Sequence, residues 1–143
     1  MEQTLTLWHA LVASGDPAGL DEVLADDCVF ISPILHTPQQ GKDLARFYLT
    51  GAMHVFNDSF HYVKEVIADN HAVLEFNCTV DDVVINGVDI MTFDEEGKIC
   101  EFKVMLRPLK GMQMMQTKMM AMLDAMSGRE QTEQEQSAKE RAL

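Results

Sequence analysis

The residue whose type and place could do chemistry is Asp89. It lies in a run, 83–93, with the β-branched and apolar composition of a strand. Alternate side chains of a strand share a face, so Asp89 is grouped with Met91 and Phe93. A lone carboxyl among apolar neighbours costs free energy unless it finds a partner. It is also the kind of group that gives or takes protons in general acid–base catalysis. The plainer alternative is a structural carboxylate, hydrogen-bonded to Trp8, a backbone N–H or water. Five histidines are present, but none has HxH or HExxH spacing; His54 and His61 are seven apart across a helix-to-strand break. No metal site is therefore expected. His36, in a proline-bracketed loop, and His54, near a helix end, are the two histidines placed to reach a ligand. Ser32 has no assignable His or Asp partner, so no nucleophilic triad is read. Asn86-Gly87 leads into a strand rather than a helix and is no dinucleotide fingerprint; no cofactor is expected.

The elements that must position Asp89 follow from periodicity. Leu5, Trp8, Leu11 and Val12 recur at helical spacing and predict a helix over 4–14. Gly15, Asp16 and Pro17 then supply a C-cap, an N-cap and a first helical residue for a second, short helix carrying Leu20, Val23 and Leu24. Ala25-Asp26-Asp27 is read as its end and 28–32 as a buried strand. A third helix over 42–55 shows Leu44, Phe47, Tyr48, Gly51 and Val55 on one side. Four strands follow, 60–67, 72–80, 83–93 and 99–107, separated by Asp69-Asn70, Asp81-Asp82 and Glu96-Gly97. Asn86-Gly87 reads as a bulge inside the third of these. The layout is α+β, a curved antiparallel sheet with helices closing one face. Ala72, Leu74, Phe76, Cys78 and Val80 should line its inside, leaving Val73, Glu75, Asn77 and Thr79 outside. Arg107 is expected on that outer surface, pairing with Glu75 or Glu101.

After residue 108 the pattern changes. Met112, Met115, Met119, Met122 and Met126 are spaced 3, 4, 3, 4, an apolar seam on a C-terminal helix over 109–126. Such flexible side chains suit the sheet, a ligand mouth or a second subunit. Residues 1–126 are read as one domain and 127–143 as a polar, solvated and frayed tail.

A chain of 143 residues can bury a core large enough to stand without metal or disulfide. Its net charge of −12 argues against nucleic acid and against anionic membranes. Cys28, Cys78 and Cys100 lie in apolar runs without a CxxC pair and read as small buried hydrophobes in a reducing compartment. The first residues show no basic, apolar leader pattern and no membrane span, so a cytoplasmic enzyme or binding protein is expected.

Four strings, 8–16, 24–33, 41–48 and 88–99, occur in an order and spacing that resemble the NTF2-like superfamily, in its SnoaL-like (polyketide-cyclase-like) and ketosteroid-isomerase-like branches. The resemblance spans nearly all of 5–108. It implies a cone-shaped sheet wrapped around a pocket and a homodimer formed through the outer sheet face. Ketosteroid isomerases carry a tyrosine in the first helix, an aspartate base just before the proline after the first strand, and a protonated aspartate in a later strand. The corresponding positions here are Trp8, Ser32 and Asp89. Two of the three depart from the pattern: serine is a poor base without a partner to take its proton, and tryptophan offers only its ring N–H. In such a pocket desolvation would raise the pKa of Asp89.

The expectation is therefore a pocket protein for a small, mostly apolar, oxygen-bearing molecule. Asp89 would act in acid–base isomerisation, cyclisation or dehydration, and Trp8, Ser32, His36, Tyr48, His54, Met91 and Phe102 would line the cavity. The rival is a non-catalytic binding or dimerisation module whose pocket is filled by side chains such as Trp8, Met91 and Phe102.

Overall fold

The computed structural model describes residues 1–141, with side chains described as far as Gly128. Helix α1 (Glu2–Ser14) ends where Gly15, at φ 69°, turns its N–H back to the carbonyls of Leu11 and Val12. Asp16 then accepts a hydrogen bond from the Ala18 N–H and opens a single 3-10 turn, Pro17–Gly19, followed by the four-residue α2 (Leu20–Val23). The first strand, β1, runs Leu24–Ile31, so Leu24 and Ala25-Asp26-Asp27 belong to a strand and not to the end of a helix. Tertiary pairing overrides the local signal: Leu24 stands opposite Ile99 in the last strand, and the register slips before Val29, which leaves Asp26 and Asp27 in solvent.

A two-residue strand β2 (Gln39–Gln40) pairs with β1, and α3 (Lys42–Val55) crosses the sheet. Helix α3 buries Ala45, Leu49 and Gly51, while Leu44 is exposed, a rotation of the face expected from the sequence. Strands β3 (His61–Ala68), β4 (His71–Val80), β5 (Val83–Phe93) and β6 (Ile99–Arg107) complete a six-stranded sheet of order β2-β1-β6-β5-β4-β3. The sheet is mixed, because β1 and β6 run parallel; every other pair is antiparallel.

The alternation in β4 and β5 is clean. Ala72, Leu74, Phe76, Cys78 and Val80 are buried, as are Ile85, Asp89, Met91 and Phe93. Asn86-Gly87 is not a bulge, since both residues stay in register with β4 and β6. Gly87 serves close packing instead: a Cβ there would stand 2.5 Å from Phe76 Cζ and 2.7 Å from Leu106 Cδ2. The β5–β6 turn is tied by Asp94, whose Oδ1 accepts from the N–H groups of Glu96 and Lys98, and Gly97 takes φ 79°. Thr4 on α1 donates to the Gly97 carbonyl at 2.5 Å and docks the helix against that turn.

Helix α4 (Leu109–Arg141) extends beyond the end expected near residue 126, and Gly128 does not interrupt it. The expected solvated character of the chain from 129 on falls on side chains outside the described residues. Helix α4 packs on its own subunit. Met115 is buried against Cys78, Val80 and Ile85, and Met119 and Leu123 approach Gly51 of α3. Lys118 pairs with Asp81 of the β4–β5 turn at 2.6 Å. Arg107 is exposed, and neither expected partner meets it. Glu75 lies 3.7 Å from Lys64 and Glu101 lies 3.7 Å from Lys103.

Candidate functional site

The concave face of the sheet, α1, α3, α4 and the loop after β1 line a cavity of about 770 Å³. Its walls are largely apolar, aliphatic side chains and methionines together with aromatic rings. Phe56, Phe60, Tyr62 and Phe76 form one cluster, with Phe60 and Phe76 stacked at 4.8 Å between ring centroids. On the other side Trp8 packs against Phe102 at 5.1 Å and Phe30 stacks on Tyr48 at 5.5 Å. Apolar walls with a few convergent polar groups are the usual composition of a small-molecule site.

The buried carboxyl at the cavity wall is Asp89, only 5% exposed. In the ladder it stands between Leu74 and Val104, so its immediate same-face neighbours are aliphatic. Tyr62 of β3 reaches over and donates its O–H to Asp89 Oδ2 at 2.6 Å. Trp8 Nε1–H in turn donates to the Tyr62 oxygen at 3.0 Å. The tryptophan fixes the hydrogen-bond direction: with its oxygen accepting from Trp8, the tyrosine turns its single proton to Asp89. Among the described residues no donor engages Asp89 Oδ1.

Burial pushes the Asp89 carboxyl up from 3.8 to about 7, against the opposing pull of the Tyr62 hydrogen bond. Tyr62 is raised well above its ordinary value, chiefly by burial and then by the Asp89 charge, so it stays a neutral donor. Near neutral pH a large share of Asp89 is therefore the acid. With Oδ2 held by Tyr62, its O–H is presented from Oδ1.

Trp8, Ser32, Tyr48 and Phe102 all lie on the cavity wall, with Asp89. His36 and His54 do not: both are exposed, His36 in the turn after β1 and His54 on the outer side of α3. Met91 is also off the wall, fully buried in the core between Ala72 and Phe102. Ser32 Oγ accepts from the N–H groups of Ile34 and Leu35, so its lone pairs are committed to the loop. It is a hydroxyl donor rather than a base. Sequence reasoning missed Tyr62, the partner of Asp89. The available signal was its alternation with Phe60, which places two aromatic rings on the inner face of an edge strand. Among the described residues no three His, Cys, Asp or Glu side chains are grouped to hold a metal ion. No described helix is long and apolar enough to cross a membrane.

A family model, the SnoaL-like domain, matches residues 5–102. The chain belongs to the SnoaL-like family. Among solved structures, this SnoaL-like protein is similar to a steroid delta-isomerase from Pseudomonas aeruginosa: 34% identity, TM-score 0.85, covering 89% of this chain and 93% of that one. It is also similar to an uncharacterised bacterial protein with a cystatin-like fold from Silicibacter pomeroyi, at 30% identity and TM-score 0.79, covering 85% of each chain. A candidate polyketide cyclase from Sinorhizobium meliloti shares the fold at 12% identity and TM-score 0.60, covering 73% of this chain and 94% of that one. No curated protein matches the sequence.

Proposed function

We propose that this SnoaL-like protein binds a small, mostly apolar molecule carrying a carbonyl or related oxygen, and promotes acid–base isomerisation, cyclisation or dehydration through Asp89. The carrying observation is the carboxyl at the cavity wall, held at one oxygen by Tyr62 and, among the described residues, free of donors at the other. A neutral Asp89 donates its O–H to the ligand oxygen, and that bond strengthens as negative charge builds there during enolisation. A cavity of about 770 Å³ has room for several fused rings. The named activity of the Pseudomonas aeruginosa relative, a steroid delta-isomerase, is chemistry of this kind. The alternative, a module whose interior is plugged by side chains, is disfavoured by the open volume beside Trp8 and Phe102.

The partner we propose besides the ligand is a second copy of this chain, on the convex face of the sheet. There Val66, Val73, Ile90 and Lys103 form one cross-strand row, and Lys64, Glu75, Val88 and Met105 the next. Val66 and Met105 are more than half exposed, which favours a cover.

The test uses two probes. 2-Naphthol, a planar apolar molecule shaped like an enol, reports binding by fluorescence titration. 2-Tetralone in D2O reports proton exchange next to its carbonyl. Asp89→Asn should weaken naphthol binding about tenfold, the value of one hydrogen bond of ~1.4 kcal/mol, and slow exchange by more than that. Binding and exchange unaffected by Asp89→Asn would remove Asp89 from the site.

A further inference from the structure

An acid that polarises a carbonyl needs a base to take the carbon-bound proton. Ser32, at the position where ketosteroid isomerases carry that base, has its lone pairs spent on Ile34 and Leu35. A second proton-accepting group nevertheless lies on the cavity wall. His9 of α1, half-buried, lines the cavity one residue from Trp8. Its ring packs edge-on against Tyr62, with centroids 5.5 Å apart and planes at 85°. The same tyrosine therefore touches His9 with its ring and Asp89 with its hydroxyl. Behind His9, Nε2 lies 2.8 Å from Oε1 of Glu65 on β3. A carboxylate only accepts, so Nε2 carries the proton in that bond and the neutral ring keeps its lone pair on Nδ1. Nδ1 has no protein partner among the described residues. A carboxylate fixing the tautomer of a histidine whose other nitrogen is open is the recurring arrangement of a general base.

We infer that His9, oriented by Glu65, is the catalytic base that works opposite Asp89. This rests on the acid–base reading of the cavity proposed above. In the step, the C–H bond next to the ligand carbonyl breaks and its proton goes to His9 Nδ1. The C–H electron pair becomes the new C=C bond, and the carbonyl π pair moves onto oxygen, which takes the hydrogen bond or the proton of Asp89. The imidazolium then gives its proton to a conjugated carbon, which completes isomerisation, or trades that proton for a deuteron of D2O and delivers the deuteron to the same carbon, which completes exchange. As the carbonyl re-forms, any proton taken by the oxygen passes back to Asp89, and both groups are regenerated. Glu65 touches no substrate; it is a positioning residue. His61 is another imidazole on the cavity wall, but its Nδ1 is held by the Ser59 carbonyl, and among the described residues no carboxylate pairs with it.

The experiment measures 2-tetralone exchange in D2O and 2-naphthol binding on the full chain, for wild type and for His9→Gln, His9→Ala, Glu65→Gln and His61→Gln. His9→Gln should lose about 100-fold or more in exchange with naphthol affinity changed less than about threefold. Glu65→Gln should lower kcat more than it raises KM. Added imidazole should restore part of the exchange of His9→Ala, which a residue of merely structural importance would not allow. Wild-type exchange that survives His9→Gln, or that falls in His61→Gln instead, overturns the assignment of the base and leaves Asp89 in place. Naphthol binding without exchange in wild type overturns the base and reduces the protein to a binding module. Absence of both removes the acid–base reading together with this one.

Discussion

At the scale of single residues, Asp89 sets a conflict between stability and chemistry. Its folded-state pKa, about 7, lies above the 3.8 of an exposed carboxyl, so the folded chain holds this proton more tightly than the unfolded chain does. The linkage sign follows: the stabilising effect of that proton is complete below about pH 3.8 and is lost as pH rises through 7. Above 7 a buried carboxylate remains, at a cost on the order of 4 kcal/mol at most. Asp89→Asn carries no such charge, so it should gain stability over wild type as pH is raised from 5 to 9, by a few kcal/mol in denaturant titrations. A pH-independent difference between the two would contradict the burial assignment. Tyr62→Phe acts on the same group from the other side. Removing a bond that favours the carboxylate should raise the Asp89 pKa further. Stability should fall by about 1–3 kcal/mol, because Trp8 Nε1 and Asp89 Oδ2 both lose their partner.

At the scale of elements, two glycines make opposite predictions from similar sequence appearance. Gly87 is hemmed in by Phe76, Leu106 and the Met105 carbonyl, the last at 2.8 Å from an added Cβ, so Gly87→Ala should cost about 1–3 kcal/mol in the unfolding midpoint. Gly51 faces only the ends of Leu123 and Met119 at 3.1 and 3.3 Å, and both side chains can give way. Gly51→Ala, in a helix interior, should be neutral or mildly stabilising. The element order was legible because helical and strand periods are local properties, and Gly15, Asp16 and Pro17 mark their boundary chemically. Asp89 was legible for the same reason, as an odd member of an apolar alternation. Its partner was not: the Tyr62–Asp89 bond joins residues 27 apart in sequence across two strand pairings. The placement of His36 and His54 was lost to geometry of another kind. Whether a loop or helix residue faces a cavity is decided by how the element is rotated on the sheet, and α3 turned Ala45 and Leu49 inward in place of Leu44. The C-terminal helix outran its expected end because a glycine inside a helix costs only about 1 kcal/mol, too little to stop it alone.

At the scale of the whole molecule, the cone divides its labour between two faces. The concave face holds the cavity, and α4 lines part of it with Met115, Met119 and Met120, side chains that can adjust to a ligand's outline. The convex face carries Val84, 59% exposed, and Met105, 52% exposed, beside mixed polar rows. If a second chain covers that face, light scattering after gel filtration should give twice the 16.1 kDa of one chain. The pair Val84→Lys and Met105→Lys should return the mass of a monomer while leaving the cavity intact. A monomeric wild type would refute the homodimer. The concave face carries the decisive group, a carboxyl that burial lifts from 3.8 to about 7, so that a large share of it is the acid near neutral pH. The most direct measurement is an NMR titration of the Asp89 side-chain carboxyl, with Asp89→Asn as the assignment control. A midpoint near 7 is predicted; a midpoint at or below 3.8 would show a solvated or charge-paired carboxylate and contradict the account.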